Sequence, residues 1–576
     1  MSKNNLIILG IHTHHESGAS IVKNGEVLAA INEDRIRNIK HYEDYPTKSI
    51  EEVFRISEVD PSEIDAIAIS NIAEPRFKKK FSPHTEYLNI ITHWSWVTSN
   101  SDGLNHLSFY HHKFNKIHDM KKLLLKIGVP LKQIIFVEHH LAHAASAYYL
   151  SPWNLDDDVL ILTADGQGDG ISSTVSTGKK GKIDRLIDSE TNSRDSLGEL
   201  YSVISGFLGM HYGYHAGKVM GLAPYGDPTK CINQITKMHD LDNTNSLVFK
   251  NRLGGIHLFE QNKRIESSLQ NQRFDNIASA IQERYETLTI TWIKNAIKKT
   301  GIHKLAFAGG NFQNVKANQK ILALEEVDDA FFCPAASDEG LAVGAALQGY
   351  FTLAFNDGIL PNKVPLKKPY FGSYFSNDEI KDCIMQNSML EKSTFVENID
   401  EEIGELISKQ GNVVARFSGR MEWGPRALGN RSILADPSDQ NMIKKINQAI
   451  KKRDFWMPFA PSILSNRLDE YLENSRDSPY MTLTFDTTEK RNEMPAAIHP
   501  YDLTCRPQTV SSEYNPGYEK VLKSFETKTG IGSILNTSLN IHGFPLGNNP
   551  EFAIETFMNS SIDFLAIGNY LVKKVK

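Results

Sequence analysis

IILGIHTHHESGASIVKNGEVLAAI, residues 7–31, decides the fold. Its apolar opening reads as a strand and the polar centre as a turn. A second strand then closes through Asn24-Gly25, a dipeptide suited to a tight hairpin because both residues accept positive φ. The pattern recurs in ILTADGQGDGISSTVSTGKKGKI, residues 161–183, again as strand, short polar loop, strand and glycine turn. The two stretches lie roughly 150 residues apart, a weak internal repeat. Alternating helical and apolar strand segments follow each, so the first ~350 residues are expected to form two related α/β halves facing each other. Such halves usually hold a nucleotide between them.

A chain of 576 residues is too long for one hydrophobic core and predicts two or three domains. The stretch AFNDGILPNKVPLKKPYFG, residues 354–372, has three prolines, two glycines and no amphipathic period. It sets the expected division: a first domain over 1–355, a linker over 356–372 and a second domain over 373–576. With a net charge of -6 the chain is a poor candidate for general nucleic-acid binding. The scattered Cys231, Cys333, Cys383 and Cys505 form no CxxC pair, which fits a reducing cytosol better than a disulfide framework or zinc ribbon. No segment approaches the ~20 apolar residues that span a bilayer. The expectation is a soluble cytoplasmic protein without nucleic-acid or membrane partners. The aromatic stretch at 93–114 reads equally as a lid and as an ordinary packed excursion.

In VEHHLAHAASAYY an apolar β-like run ends and a helix begins, with His139 and His143 four apart on one helical face. Alone, that spacing weighs toward packing. The strand ILTAD, however, delivers Asp165 into the loop GQGDG, and AFFCP delivers Asp338 to the start of another helix. Ligands of open α/β sheets gather outside the carboxyl ends of strands. Two imidazoles with one or two carboxylates suit a divalent transition metal that keeps open positions, so the joint arrangement favours a metal over a helix cap at Asp338 or a turn residue at Asp165. In LAFAGGNFQNVKANQKI, Gly309 and Gly310 precede a helix, where backbone N–H groups can approach an anion; with Asn314 they are candidate nucleotide-binding residues. KVMGLAPYG, residues 218–226, reads as another tight loop near a ligand or as a plain turn.

Together with those blocks, PAASDEG, GRMEWGPRALGNRSILADP, FWMPFAPSIL, RPQTV and NTSLN occur in an order that resembles the O-carbamoyltransferases acting on antibiotics, nodulation factors and related natural products. The resemblance runs over nearly the whole chain. It implies a two-lobed N-terminal domain of the actin, heat-shock-chaperone and sugar-kinase type (Kae/TsaD-like) and a C-terminal YrdC-like α/β domain. It implies that the second domain makes carbamoyl-adenylate from carbamoyl phosphate and ATP, with Mg(II) accompanying the nucleotide. The first would pass the carbamoyl group to a hydroxyl of a small-molecule acceptor beside a divalent metal, Fe(II) by resemblance. By motif, His139, His143, Asp165 and Asp338 become the metal ligands, and His140 a supporting residue.

The resemblance further nominates His15, followed by Glu16, as general base, and Lys40 as a second catalytic residue of the same pocket. For carbamoyl phosphate and ATP it nominates Arg426, Lys451, Arg506, Asn536 and Ser538, the last two placed on a loop after GIGSILN. Arginine in glycine-rich loops suits forked phosphate recognition. Arg420, Arg431 and Arg453 are weaker choices, with structural ion pairing as their other reading. One position departs: Met457 stands where the family carries an arginine, so either Arg453 or another cation supplies the phosphate ligand or carbamoyl phosphate binds less tightly. Hydrogenase-maturation carbamoyltransferases place their YrdC-like part first and carry zinc fingers, neither seen here. A threonylcarbamoyl-adenylate, tRNA-modifying enzyme would need a basic RNA surface. A chaperone-like ATP-dependent module would leave the arginine loop and the Asn-Thr-Ser loop of the second domain unexplained.

Overall fold

The computed structural model describes residues 5–70, 121–131, 133–254, 262–451 and 454–574; the stretch 93–114 and Arg453 lie outside them. The opening sequence forms β1 (Ile7–His12), β2 (Gly18–Lys23) and β3 (Glu26–Asn32), with the expected turn at Asn24-Gly25. With β4 (Ala66–Ser70) and β5 (Ile134–Val137) they make a sheet of order β3-β2-β1-β4-β5. β1 runs antiparallel to β2 and parallel to β4. The second sheet repeats this plan with β6 (Val159–Gly168), β7 (Ile171–Lys179), β8 (Lys182–Arg185), β9 (Lys304–Ala308) and β10 (Asp329–Phe332). Its order is β8-β7-β6-β9-β10, antiparallel on the hairpin side and parallel beyond β6. The weak repeat in sequence is therefore a duplication in structure.

Both sheets feed matching helices. α1 (His139–Leu150) follows β5, α2 (Leu197–Phe207), α3 (Phe274–Thr300) and α4 (Val315–Leu322) belong to the second half, and α5 (Leu341–Asn356) follows β10. α1 and α5 are rich in alanine, and small side chains let two helices approach closely. At their crossing a Cβ on Gly344 would lie 1.9 Å from the Ala142 carbonyl oxygen, so no larger residue fits. This crossing joins the halves and brings the start of α1 beside the turn that precedes α5.

The C-terminal region is built on one mixed sheet of β11 (Ser393–Phe395), β12 (Val413–Phe417), β13 (Arg431–Ala435), β14 (Ala460–Leu464), β15 (Gln508–Val510), β16 (Ser533–Ser538), β17 (Phe564–Ile567) and β18 (Tyr570–Lys573). Their order is β11-β18-β17-β12-β13-β16-β14-β15. Asn536 and Ser538 thus lie within β16, paired with β13, and not on the loop expected from sequence. The apolar cores also cross the expected boundary: Ile463, Leu483 and Met494 pack in one cluster with Val219, Ile277 and Phe307. Asn318 donates to the Thr482 carbonyl at 2.9 Å, and Thr484 Oγ1 to that of Val315 at 3.0 Å. Among the described residues no helix is long and apolar enough to cross a membrane.

Candidate functional site

Glu138 caps α1, its carboxylate accepting the N–H groups of His140 at 3.0 Å and Leu141 at 2.9 Å. That fixes His139 and His143 one turn apart, both Nε2 atoms facing the Asp165 carboxylate at 2.6 and 3.2 Å. Asp165 reaches them from β6, where Ser196 Oγ bonds its carbonyl at 3.0 Å. Asp338, from the turn after β10 of the same sheet as β6, lies 3.8 Å from His139 and 3.7 Å from His143. It does not cap a helix: Ser337 occupies that position, and Asp338 opens a short 3₁₀ turn with its carboxylate turned to the imidazoles. One ligand atom from each of the four lies within 4.8 Å of the others, a geometry that can hold a metal ion.

The donors are electrostatically matched. Burial lowers the His139 pKa, but the carboxylates of Asp165 and Asp338 outweigh it and push it up to about 10. Burial would raise Asp165, yet His140 and His139 hold it well below the usual carboxylate range. Asp165 Oδ1 and His143 Nδ1 are shut from solvent without a hydrogen bond, so the cluster retains unused donor capacity. His140 is turned away, its Nδ1 2.8 Å from Thr163 Oγ1 while its Nε2 stands 3.5 Å from Asp165. Burial lowers it to about 4, which keeps it neutral.

The β1–β2 turn supplies the neighbouring wall. His15 stacks near His41 at 5.3 Å between ring centroids, and among the described residues its nitrogens make no hydrogen bond. Lys40 is exposed at the rim. Two further residues complete this wall: His12, which the sequence offered with His14 as an alternative to His15 or as part of a surface turn, and Glu339, which it did not single out. His12 is fully buried, with Nδ1 2.9 Å from Ser70 Oγ and Nε2 2.9 Å from the His15 carbonyl. Glu339 is buried, and burial together with the neighbouring Glu16 raises its pKa well above the carboxylate range, while Glu16 is held low.

The glycine loop differs from its expected form. Gly309 (φ 102°) donates its N–H to the Ala336 carbonyl, and a Cβ there would strike the Ala164 carbonyl at 2.1 Å, so close strand packing accounts for it. Gly310 opens a 3₁₀ turn instead of the helix proper. The Asn314 amide caps α4 through the Ala317 N–H and pairs with Gln282 at 2.9 and 3.0 Å.

In the C-terminal region Glu422 organises the arginine loop, its Oε1 accepting N–H groups from Leu428, Asn430 and Arg431 at 2.8 to 3.0 Å. The loop thereby projects Arg426, which makes no hydrogen bond or ion pair among the described residues. Burial lowers its pKa, and Glu339 of the N-terminal half pulls the other way. The neighbouring arginines are engaged through their terminal nitrogens, although Arg431 Nε is buried without a partner. Arg431 donates to the Ser418, Gly419, Asn430 and Ser373 carbonyls, and Arg420 to those of Leu28, Phe371 and Gly372. Both bind backbone carbonyls, where ion pairs were the structural expectation.

Asn536 donates to the Ala427 carbonyl at 3.1 Å, while its own Oδ1 is buried without a partner. Lys451 bonds Ser538 Oγ at 3.1 Å, the Ser538 carbonyl at 2.6 Å and the Asn540 carbonyl at 2.8 Å, holding the end of β16. Arg506 is half-buried. Met457 sits against the KVMGLAPYG segment, 3.0 Å from where a Gly221 Cβ would stand, and Trp456 Nε1 donates to the Lys218 carbonyl at 3.0 Å. The FWMPF loop therefore packs the C-terminal region onto the N-terminal one.

Residues 7–347 match the family model described as Carbamoyltransferase N-terminus, and residues 405–574 the one described as Carbamoyltransferase C-terminus. An uncharacterized protein of Synechocystis sp. is 31% identical over 98% of this chain and 96% of its own length. Nodulation protein NolNO of Sinorhizobium fredii is 32% identical over 97% of this chain and 79% of its own. Among solved structures, T. kodakarensis HypF matches 61% of this chain and 48% of its own at 16% identity, with a TM-score of 0.32.

Proposed function

The chain belongs to the carbamoyltransferase family, and from that premise we propose that it is an ATP-dependent O-carbamoyltransferase of natural-product type. Its N-terminal region is read as Kae/TsaD-like and its C-terminal region as YrdC-like, working in the cytoplasm. Carbamoyl phosphate is hydrolysed to carbamate and phosphate, and carbamate attacks ATP, as its Mg(II) complex, to give carbamoyl-adenylate and pyrophosphate. An acceptor hydroxyl then takes the carbamoyl group, and AMP leaves.

The observation that carries this reading is the position of Arg426, a guanidinium without a partner that faces Glu339, the residue after Asp338. A half-buried cation left unpaired is best understood as waiting for an anion. Asn536, with its orphaned buried Oδ1, orients the same ligand, and by resemblance Arg506 supports it. Lys451 and Ser538 hold the strand end against which the phosphates sit. In the N-terminal region His15 accepts the proton of the acceptor hydroxyl, its nitrogens being free to do so. Lys40, at the rim, attracts the phosphate of the incoming adenylate. The unused capacity of Asp165 and the N₂O₂ donor set fit a divalent ion. Fe(II) held there by His139, His143, Asp165 and Asp338 would supply positive charge for the departing phosphate. Gly309, Gly310 and Asn314 shape the loop beside it.

The test is pyrophosphate release from ATP with and without carbamoyl phosphate. Release that requires both and is lost in Arg426→Ala supports the reading. Release from ATP alone, or equal release by the variant, contradicts it.

A further inference from the structure

A second group of metal donors lies outside the His/Asp cluster and shares no residue with it. His15, Glu16 and His41 each present a ligand atom, and these atoms lie within 4.8 Å of one another. The two segments that carry them are fastened together: His15 bridges Glu43 in antiparallel fashion, and Ser17 N–H donates to the Tyr42 carbonyl at 3.3 Å. Two of the three residues hold left-handed backbone, Glu16 at φ 58° and His41 at φ 56°, conformations that non-glycine residues keep only when their surroundings impose them. Tyr214 supplies part of that constraint, its ring stacked on His41 at 3.8 Å and 3°.

The donors themselves are underused. His41 Nδ1 stands 3.2 Å from Glu16 Oε1, while His41 Nε2 is shut from solvent without a hydrogen bond. Glu16 Oε2 is likewise buried, with only the Glu339 carboxyl facing it. The His15 nitrogens bond nothing among the described residues. Two imidazoles and one carboxylate, partly exposed, match the three-ligand open sites that bind zinc-like ions and leave a coordination position to solvent.

We propose that His15, Glu16 and His41 form a second transition-metal site, for Zn(II) or an ion of similar preference, separate from the His139/His143/Asp165/Asp338 centre. This goes beyond the proposed function. An ion there takes up His15, so metal loading at this site and proton abstraction by His15 exclude each other; that consequence alone rests on the assignment of His15 as base.

The experiment is metal stoichiometry of the full-length protein. Metal-freed protein is loaded with Zn(II), desalted and assayed by atomic emission, and Co(II) loading is followed by its d–d absorption. The expected result is two equivalents in the wild type, with one lost in His41→Ala and in Glu16→Gln, and the other lost in His143→Ala. Additive losses in the double variant His41→Ala/His143→Ala establish independence. One equivalent in the wild type, or two retained by both His41→Ala and Glu16→Gln, overturns the proposal. A failure of His15 as base leaves these counts unchanged, so the two readings fail separately.

Discussion

The His/Asp cluster and the arginine loop are opposite solutions to holding charge inside a protein. In the first, imidazoles and carboxylates neutralise each other in place, with His139 and Asp165 2.6 Å apart. In the second, Arg431 is bonded to backbone carbonyls while Arg426, five residues earlier, has no partner among the described residues. Taking one member of the matched cluster away leaves another buried and uncompensated. The lone guanidinium gains no such pairing, and on the proposed reading it waits for an anion. Stability and activity should therefore respond in opposite ways in the two regions.

The sharpest break of that comparison is Arg426→Ala. Pyrophosphate release should fall by about 10² to 10³-fold, the usual cost of deleting one preorganised charged donor, while the melting temperature holds or rises. A parallel fall in melting temperature would show that Arg426 is structural. Arg431→Ala should do the reverse, lowering unfolding free energy by about 3 kcal/mol in denaturant titration because buried carbonyls lose their donor. His140→Ala removes the side chain between Thr163 and Asp165; metal affinity at the His/Asp cluster should drop by roughly 10 to 100-fold, read by competition with a chelating dye.

The smallest effect concerns Glu138, the cap of α1. Burial would raise its pKa, but Arg185 and the helix N–H groups hold it down to about 2. A carboxylate depressed on folding gives stability that is present above its unfolded pKa and lost as pH falls toward 2. Glu138→Gln should cost about 1 kcal/mol at neutral pH, and the deficit should shrink below about pH 4. A deficit independent of pH would remove the charge from the explanation.

The duplication was legible because it is written in local signals: alternating or continuous apolar runs, and glycine turns after β2 and β7. The cluster at His139, His143, Asp165 and Asp338 was legible for a related reason, since each residue ends a strand or begins a helix. Glu339 and Glu422 were not. A glutamate in SDEG or RMEWG looks the same in sequence whether it is solvated or buried, and only tertiary packing buries one beside Glu16 and makes the other the anchor of three N–H groups. The register of Asn536 and Ser538 in β16 was hidden likewise, because the partner strand β13 lies a hundred residues away. The shared core of 463–494 with the N-terminal half escapes any reading by linkers, which sees composition and not contact.

Adenylation and transfer are proposed to occupy two separate half-sites of one chain, and the most direct test uses His143→Ala stripped of metal at the His/Asp cluster. Pyrophosphate release dependent on ATP and carbamoyl phosphate should continue near the wild-type rate while the metal is absent. Loss of that release together with the metal, in protein that remains folded, would place both steps at one centre and contradict the account.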